Sequence, residues 1–319
     1  MTKIETIKTK KKYIFRLFVF LFIIFILLNV IAAFHAYKFT HFSASGTKLE
    51  NINLTFFEKA KLLFTGVDIP RPQNTKIPNR NYTTVNIQSN VKIECWLLPV
   101  DKPLGTVILF HGYTSNKSEL IDRAVVFLQN GYNCLLVDFM GSGGSGGNQT
   151  TIGFMEAVEV KDCFEYVKNS GEKNIYLLGS SLGAVAIMKA IKEYNIKPAS
   201  IILECPFGTM YETVVARFNM LHVPPVPMAG MLLFWGGIEN GFLGFSHNPK
   251  EYAKSINCPV LLQWGLHDDR VSKKEIDDIY ANLNCKKQMI IYTNSGHDNY
   301  LKTSRDEWNK NVITFVNNK

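Results

Sequence analysis

Residues 173–195 read KNIYLLGSSLGAVAIMKAIKEYN. A short apolar run, Ile175 to Leu178, breaks at Gly179-Ser180-Ser181-Leu182-Gly183, and an alanine-rich stretch carries on to Ala190 and Ile191. The pattern predicts a strand, a tight turn and a helix, with Ser181 at the apex of a G-x-S-x-G turn. Small residues at 179 and 183 let strand and helix pass without clashing, and the turn forces the serine into strained backbone geometry. Such a turn holds the serine Oγ above the sheet at a helix N-terminus, which favours developing negative charge. The same pattern recurs at Gly143-Gly144-Ser145-Gly146-Gly147, but no helical run follows it directly, and that copy reads as a flexible loop.

Outward from this turn, strand and helix patterns alternate. YTTVNIQ (82–88) and VKIECWLLP (91–99) read as a hairpin joined at Ser89-Asn90. TVILF (106–110), NCLLVDF (133–139), SIILE (200–204), PVLLQWG (259–265) and QMIIY (288–292) read as short buried strands. Helical patterns cover 118–130, 154–169, 272–283 and roughly 300–316. Short apolar strands alternating with helices mean a mostly parallel sheet covered on both faces. Residues 206–250, rich in Met, Phe, Trp and Pro, interrupt the rhythm and read as a cap insertion.

A serine is a poor nucleophile without a base, and the base needs a carboxylate to orient it. In an open parallel sheet these groups gather at the C-terminal ends of strands. His297, in NSGHDNY after the last strand, is the base candidate. Asp268, in WGLHDDRV after the strand before it, is the acid candidate, and spacing alone does not exclude its neighbour Asp269. The order Ser181, Asp268, His297 is that of the α/β-hydrolase fold. The oxyanion donors are expected to be the backbone N–H of Leu182 and that of Tyr113, in the His111-Gly112-Tyr113 loop after TVILF. His111 itself reads as a loop-packing residue.

Ahead of the domain, residues 17–34 (LFVFLFIIFILLNVIAAF) are apolar except for Asn29. At ~1.5 Å per residue they extend about 27 Å, close to the thickness of a bilayer core. Residues 1–16 carry six Lys and Arg against one Glu, a net +5 of the chain's +8, and the remainder is only +3. Uneven charge without a recognition motif argues against nucleic-acid binding. The expected organisation is a basic cytoplasmic tail (1–16), a single transmembrane anchor (17–34), a juxtamembrane connector (35–81) and a catalytic domain (82–319) on the extracytoplasmic side. The alternative is a signal peptide cleaved near Val30-Ile31-Ala32, with a secreted domain. Within the connector, Leu49 to Phe64 has helical spacing and IPRPQNTKIPNRN (69–81) reads as irregular linker.

Six cysteines, at 95, 134, 163, 205, 258 and 285, have no regular spacing and read as buried free thiols. Gly141–Gly147 is not followed by Lys-Ser/Thr, so it is no P-loop, and no Cys/His cluster or H-E-x-x-H suggests a metal. No cofactor is expected.

Taken together, FHGYTSNKS (110–118), VDFMGSGGSGG (137–147), GSSLG (179–183), GLHDDRV (265–271) and SGHDN (295–299) resemble the bacterial α/β-hydrolases of the serine aminopeptidase-like and lysophospholipase-like group. The resemblance covers about residues 82–319 and implies an α/β-hydrolase fold with an eight-stranded, mostly parallel sheet and a short cap. The family pattern G-x-x-D-x-x-V places Gly265 and Val271 around Asp268, favouring it over Asp269. The chain departs from the family at Met140 and Ser142, where a basic residue and a histidine are usual. Three functions compete: an ester hydrolase acting on a small acyl substrate, a peptidase or amidase, and a non-catalytic binding module on the same scaffold. An aminopeptidase needs a carboxylate for the substrate's amine, for which Glu212 and Glu239 are the cap candidates.

Overall fold

The computed structural model describes residues 3–46 and 55–318. Two helices, α1 (Lys3–Thr40) and α2 (Phe56–Thr65), precede the sheet. The strands are β1 (Thr83–Gln88), β2 (Lys92–Leu98), β3 (Thr106–Phe110), β4 (Asn133–Val137), β5 (Ile175–Ser180), β6 (Ser200–Glu204), β7 (Val260–Gly265) and β8 (Lys287–Tyr292). Their order in the sheet is β1-β2-β4-β3-β5-β6-β7-β8. β1 and β2 form the antiparallel hairpin, β2 is antiparallel to β4, and every pairing from β4 to β8 is parallel.

Helices α3 (Ile121–Gln129), α4 (Glu156–Asn169) and α5 (Leu182–Tyr194) connect the strands up to β6. Between β6 and β7 lie α6 (Met210–Met220), α7 (Met228–Glu239) and α8 (Pro249–Ala253). Helix α9 (Lys273–Asn282) joins β7 to β8, and α10 (Tyr300–Thr303) and α11 (Arg305–Asn317) follow β8. The single helix expected over 300–316 is thus two, broken at Ser304, whose extended φ of −143° leaves the helical region.

Two apolar layers explain why β3 to β7 are so uniformly hydrophobic. Ile108 and Phe110 of β3 face one layer with Ala157, Val160 and Phe164 of α4. Val107 and Leu109, the alternating residues, face the other with Phe127 of α3 and Trp308 of α11. Helix α5 is buried from Leu182 through Ile191 because α4 and α8 cover its outer side. This fixes the orientation of its N-terminus, where Ser181 sits.

Residues 69–81 contain no helix or strand, in keeping with their composition, yet they are packed on the domain. Arg71 donates to the carbonyls of Ser145 and Gly147, Asn74 Nδ2 lies 2.8 Å from Asp138 Oδ2, and Gly143 N donates to Pro72 O at 2.8 Å. These bonds also correct the flexible-loop reading of Gly143–Gly147. Ser145 is buried, donating to Asp138 O at 2.6 Å and accepting from Glu94 N at 2.8 Å. Of the expected connector helix, residues 56–65 are helical, and 49–54 lie outside the described residues.

Beneath this loop the Lys117 side chain is fully buried, bonded to Asp138 and to Glu94 (2.8 Å), 4.5 Å from the Trp96 ring centroid. Burial alone would raise the Asp138 pKa, but Lys117 and His111 reverse this and hold it below the ordinary value. Removing one partner of such a group strands buried charge. Lys117→Met is expected to lower unfolding free energy by about 3–5 kcal/mol, read by urea denaturation.

Helix α1 is longer than the predicted span. Side chains from Tyr13 to Leu27 are largely exposed and apolar, and an 18-residue stretch within 10–40 has a mean hydropathy of 3.1. Toward its C-terminus the character changes. Ala32, Ala36 and Thr40 are buried, α1 packs on α7, and Trp235 Nε1 donates to Asn29 Oδ1 at 3.0 Å. One described helix is therefore long and apolar enough to cross a membrane, as an anchor or as a signal sequence.

Candidate active site

The turn from β5 to α5 gives Ser181 φ 50° and ψ −109°, a left-handed conformation that a non-glycine residue adopts only when its surroundings impose it. The imposition is visible at the two flanking glycines. A Cβ at Gly179 would come within 2.4 Å of Gly183 C, and one at Gly183 within 2.6 Å of Phe110 O. Ser181 N donates to Glu204 O at 2.7 Å, tying the apex to the end of β6.

Three strand ends converge here. His297 Nε2 lies 3.1 Å from Ser181 Oγ, and His297 Nδ1 lies 2.8 Å from Asp268 Oδ2. The Asp268 side chain is fully buried, and its Oδ1 accepts from Arg270 N and Val271 N, both at 2.8 Å. Those bonds leave the other oxygen facing His297. Asp269 points away, with 57% of its side chain exposed and its Oδ1 3.9 Å from Arg270 Nε. The β7 and β8 loops are stitched together by His267 N to Ser295 O at 2.9 Å.

The expected oxyanion loop lies against the turn, since a Cβ at Gly112 would be 3.7 Å from Ser181 Cβ. Among the described residues, neither the Tyr113 nor the Leu182 backbone N–H has an acceptor in the protein. His111 packs inside the loop: Nε2 accepts from Phe139 N at 3.1 Å, which leaves Nδ1 to donate to Gly112 O at 2.8 Å. Burial lowers its pKa, so the ring is neutral and acts as a brace. The Tyr113 hydroxyl donates to Phe39 O of α1 at 2.6 Å.

Sequence reasoning missed three residues of this cleft, which holds about 510 Å³. Cys205 follows β6 with φ 41°, and its Sγ lies 3.9 Å from His297 Nε2. The signal was its place at a strand end, not its spacing from other cysteines. Burial works against a charged His297 ring, but Cys205 and Asp268 outweigh it and hold the pKa above the ordinary histidine value. Arg217 of α6 and Arg270 also line the cleft. Among the described residues, the Arg217 side chain finds one hydrogen-bond acceptor, Met220 Sδ at 3.8 Å, and burial together with Arg270 lowers its pKa. Among the described residues, the buried Arg270 Nε has no hydrogen-bond partner. The cleft is therefore electropositive beside Ser181.

The cap carboxylates are placed elsewhere. Glu212 pairs with Lys250 at 2.7 Å, and neither Glu212 nor Glu239 lines the cleft. The carboxylates that do line it are engaged: Glu119 lies 3.5 Å from Lys76 Nζ, and Asp298 Oδ2 accepts from Gly296 N at 2.9 Å.

Known proteins share this architecture. Residues 101–232 match the family described as serine aminopeptidase, S33. The uncharacterized protein YqkD of Bacillus subtilis is 27% identical over 224 residues, 69% of this chain and 73% of its own length. A carboxylesterase of the same organism is 23% identical over 231 residues, covering 66% of this chain and 91% of that protein. Among solved structures, an esterase of Pyrococcus furiosus superposes with a TM-score of 0.63 at 24% identity, over 77% of this chain and 96% of that one. With an eight-stranded, mostly parallel sheet, helices on both faces and these likenesses, the chain has the α/β-hydrolase fold.

Proposed function

We propose that the chain is a membrane-anchored serine hydrolase that cleaves a carboxylic ester. The observation that carries this reading is the line from Ser181 Oγ to His297 Nε2 (3.1 Å) and from His297 Nδ1 to Asp268 Oδ2 (2.8 Å), beside two free backbone N–H groups. Ser181 Oγ attacks the acyl carbonyl as His297 Nε2 takes its proton. The N–H groups of Tyr113 and Leu182 receive the oxyanion, at the N-terminus of α5. His297 returns the proton to the departing alcohol, and Asp268 holds the ring tautomer and steadies the imidazolium. Water then enters by the same route and releases the acid from the acyl-enzyme.

Ester is favoured over aminoacyl substrate because the cleft presents Arg217 and Arg270, while its carboxylates are already engaged. A substrate ammonium would meet these two guanidiniums, against Asp298, held by a backbone N–H, and Glu119, placed beside Lys76 and Lys302. A panel of p-nitrophenyl esters and aminoacyl anilides tests this, with esters expected to lead by about a hundredfold or more in kcat/KM. Preference for the anilides would replace ester hydrolase with peptidase.

Anchoring is favoured over cleavage because the bond from Trp235 holds Asn29, on the N-terminal side of the Val30-Ile31-Ala32 cleavage candidate. Positive charge in residues 1–16 then keeps the N-terminus cytoplasmic and the domain across the membrane.

The acid limb of the pH profile reports His297, because only the neutral ring accepts the serine proton. With its pKa held up, the limb lies above pH 6.5. Cys205→Ser removes one of the two groups that raise it, so the limb is expected to move to lower pH in kcat/KM profiles. An unmoved limb would remove Cys205 from the electrostatics of the base.

A further inference from the structure

We propose that α1 is a substrate-binding element as well as an anchor: its last turns close an apolar cavity that holds the hydrocarbon chain of an acyl ester drawn from the bilayer. The inference rests on the ester-hydrolase reading and names its substrate class.

A cavity of about 290 Å³ lies between the C-terminal end of α1, the segment following α2, and the helices α6 and α7. Its wall includes Phe39 from α1, Ile69, Val214 and Phe218 from α6, and Met228 and Leu232 from α7. This lining is almost wholly hydrocarbon and would leave a polar ligand's hydrogen bonds unmade. An alkyl chain loses nothing there and, relative to water, gains about fourfold in binding per buried methylene. Taking a methylene as about the ~30 Å³ share of a water molecule, the cavity has room for roughly eight to ten.

Two features connect this cavity to the chemistry. Arg217 belongs to the walls of both the cavity and the Ser181 cleft, so the two spaces are neighbours. Phe39 lies against the oxyanion loop, with its ring 5.0 Å from that of Tyr113 and its carbonyl bonded to the Tyr113 hydroxyl at 2.6 Å. A third feature connects the cavity to the lipid. The apolar run of α1 ends at Phe34, and Phe39 is five residues further on, about 8 Å along the helix axis. A chain leaving the bilayer along α1 meets the cavity almost at once, without crossing open water. This is why the occupant is a membrane-derived acyl chain and not a water-soluble ligand.

The test uses the full chain in phosphatidylcholine vesicles with p-nitrophenyl esters from acetyl to hexadecanoyl. The readout is the kcat/KM of each ester, referred to its free aqueous concentration so that partition into the vesicles is taken out, and divided by the acetyl value so that a general loss of activity cancels. In the unsubstituted protein the ratio is expected to rise about threefold to fourfold per methylene up to eight to ten carbons and then level. Leu232→Trp fills the cavity and should lower the decanoyl ratio at least tenfold. Phe39→Ala enlarges it from the α1 side and should move the plateau to longer chains. A flat profile alongside good acetyl turnover would overturn the inference and leave the ester-hydrolase reading standing. A chain-length plateau that Phe39→Ala leaves in place would remove α1 from the binding site. Absence of turnover on every ester would overturn both.

Discussion

Ser181→Ala is expected to abolish ester turnover, with a loss in kcat on the order of 10^5–10^6-fold, and to end covalent labelling by a fluorophosphonate probe. The size follows from how the group works. Removing Oγ takes away the atom 3.1 Å from His297 Nε2 that accepts the acyl group, and leaves near that nitrogen the more distant Cys205 Sγ, at 3.9 Å. The free N–H groups beside the turn and the cleft remain, and they alone should leave only a small residual acceleration. The fold should survive. The serine side chain fills little volume, and the strained backbone at residue 181 is imposed by the close approach of Gly179 and Gly183, which the substitution leaves in place. An unchanged thermal transition with labelling lost is the expected pair of results. Labelling that persisted would move the nucleophile elsewhere, and Ser145 is a poor alternative because its hydroxyl is already spent on Asp138 O and Glu94 N.

The second large effect separates two adjacent carboxylates. Asp268→Asn should lower kcat by roughly 10^4-fold, because an amide in place of Oδ2 can donate to His297 Nδ1 and so favours the wrong tautomer. Its partner oxygen, held by the N–H groups of Arg270 and Val271, keeps the loop in position, so the loss should lie in kcat with little change in KM. Asp269→Asn should change turnover by less than about twofold, since that side chain is mostly exposed and its neighbour Arg270 is 3.9 Å away. Reversal of the two results would shift the orienting carboxylate by one residue.

Much of this architecture was legible because it repeats a local rule. Each of the eight strands announces itself as a short apolar or alternating run, and the sheet has the expected eight. The groups at the ends of β5, β7 and β8 followed from asking where a base and an acid would have to be. Cys205 is equally well placed, at the end of β6, but the spacing between cysteines carries no information about a lone thiol beside an imidazole. Arg217 was hidden for a different reason: it lies within an insertion whose helices have no counterpart in the strand–helix alternation, so only the fold brings it to the cleft. The reach of α1 was underestimated because apolarity stops near Phe34, while the helix continues through HAYKFT on the strength of packing against α7.

Residues 69–81 are irregular in backbone yet fixed in place. Proline and asparagine mark the absence of repeating backbone structure, and that is what they deliver; they do not mark a free tether. Arg71 and Asn74 are fastened to the glycine loop and to Asp138, while Pro70, Pro72, Gln73 and Thr75 line the cleft itself. A version trimmed back to Tyr82 would therefore discard one bank of the Ser181 cleft along with α1. It would also open the Lys117–Asp138 pair to solvent. Poor activity in such a truncated protein would be a defect of the cut, and a useful trimming point keeps both residues 69–81 and the last turns of α1, where Phe39 lies against Tyr113.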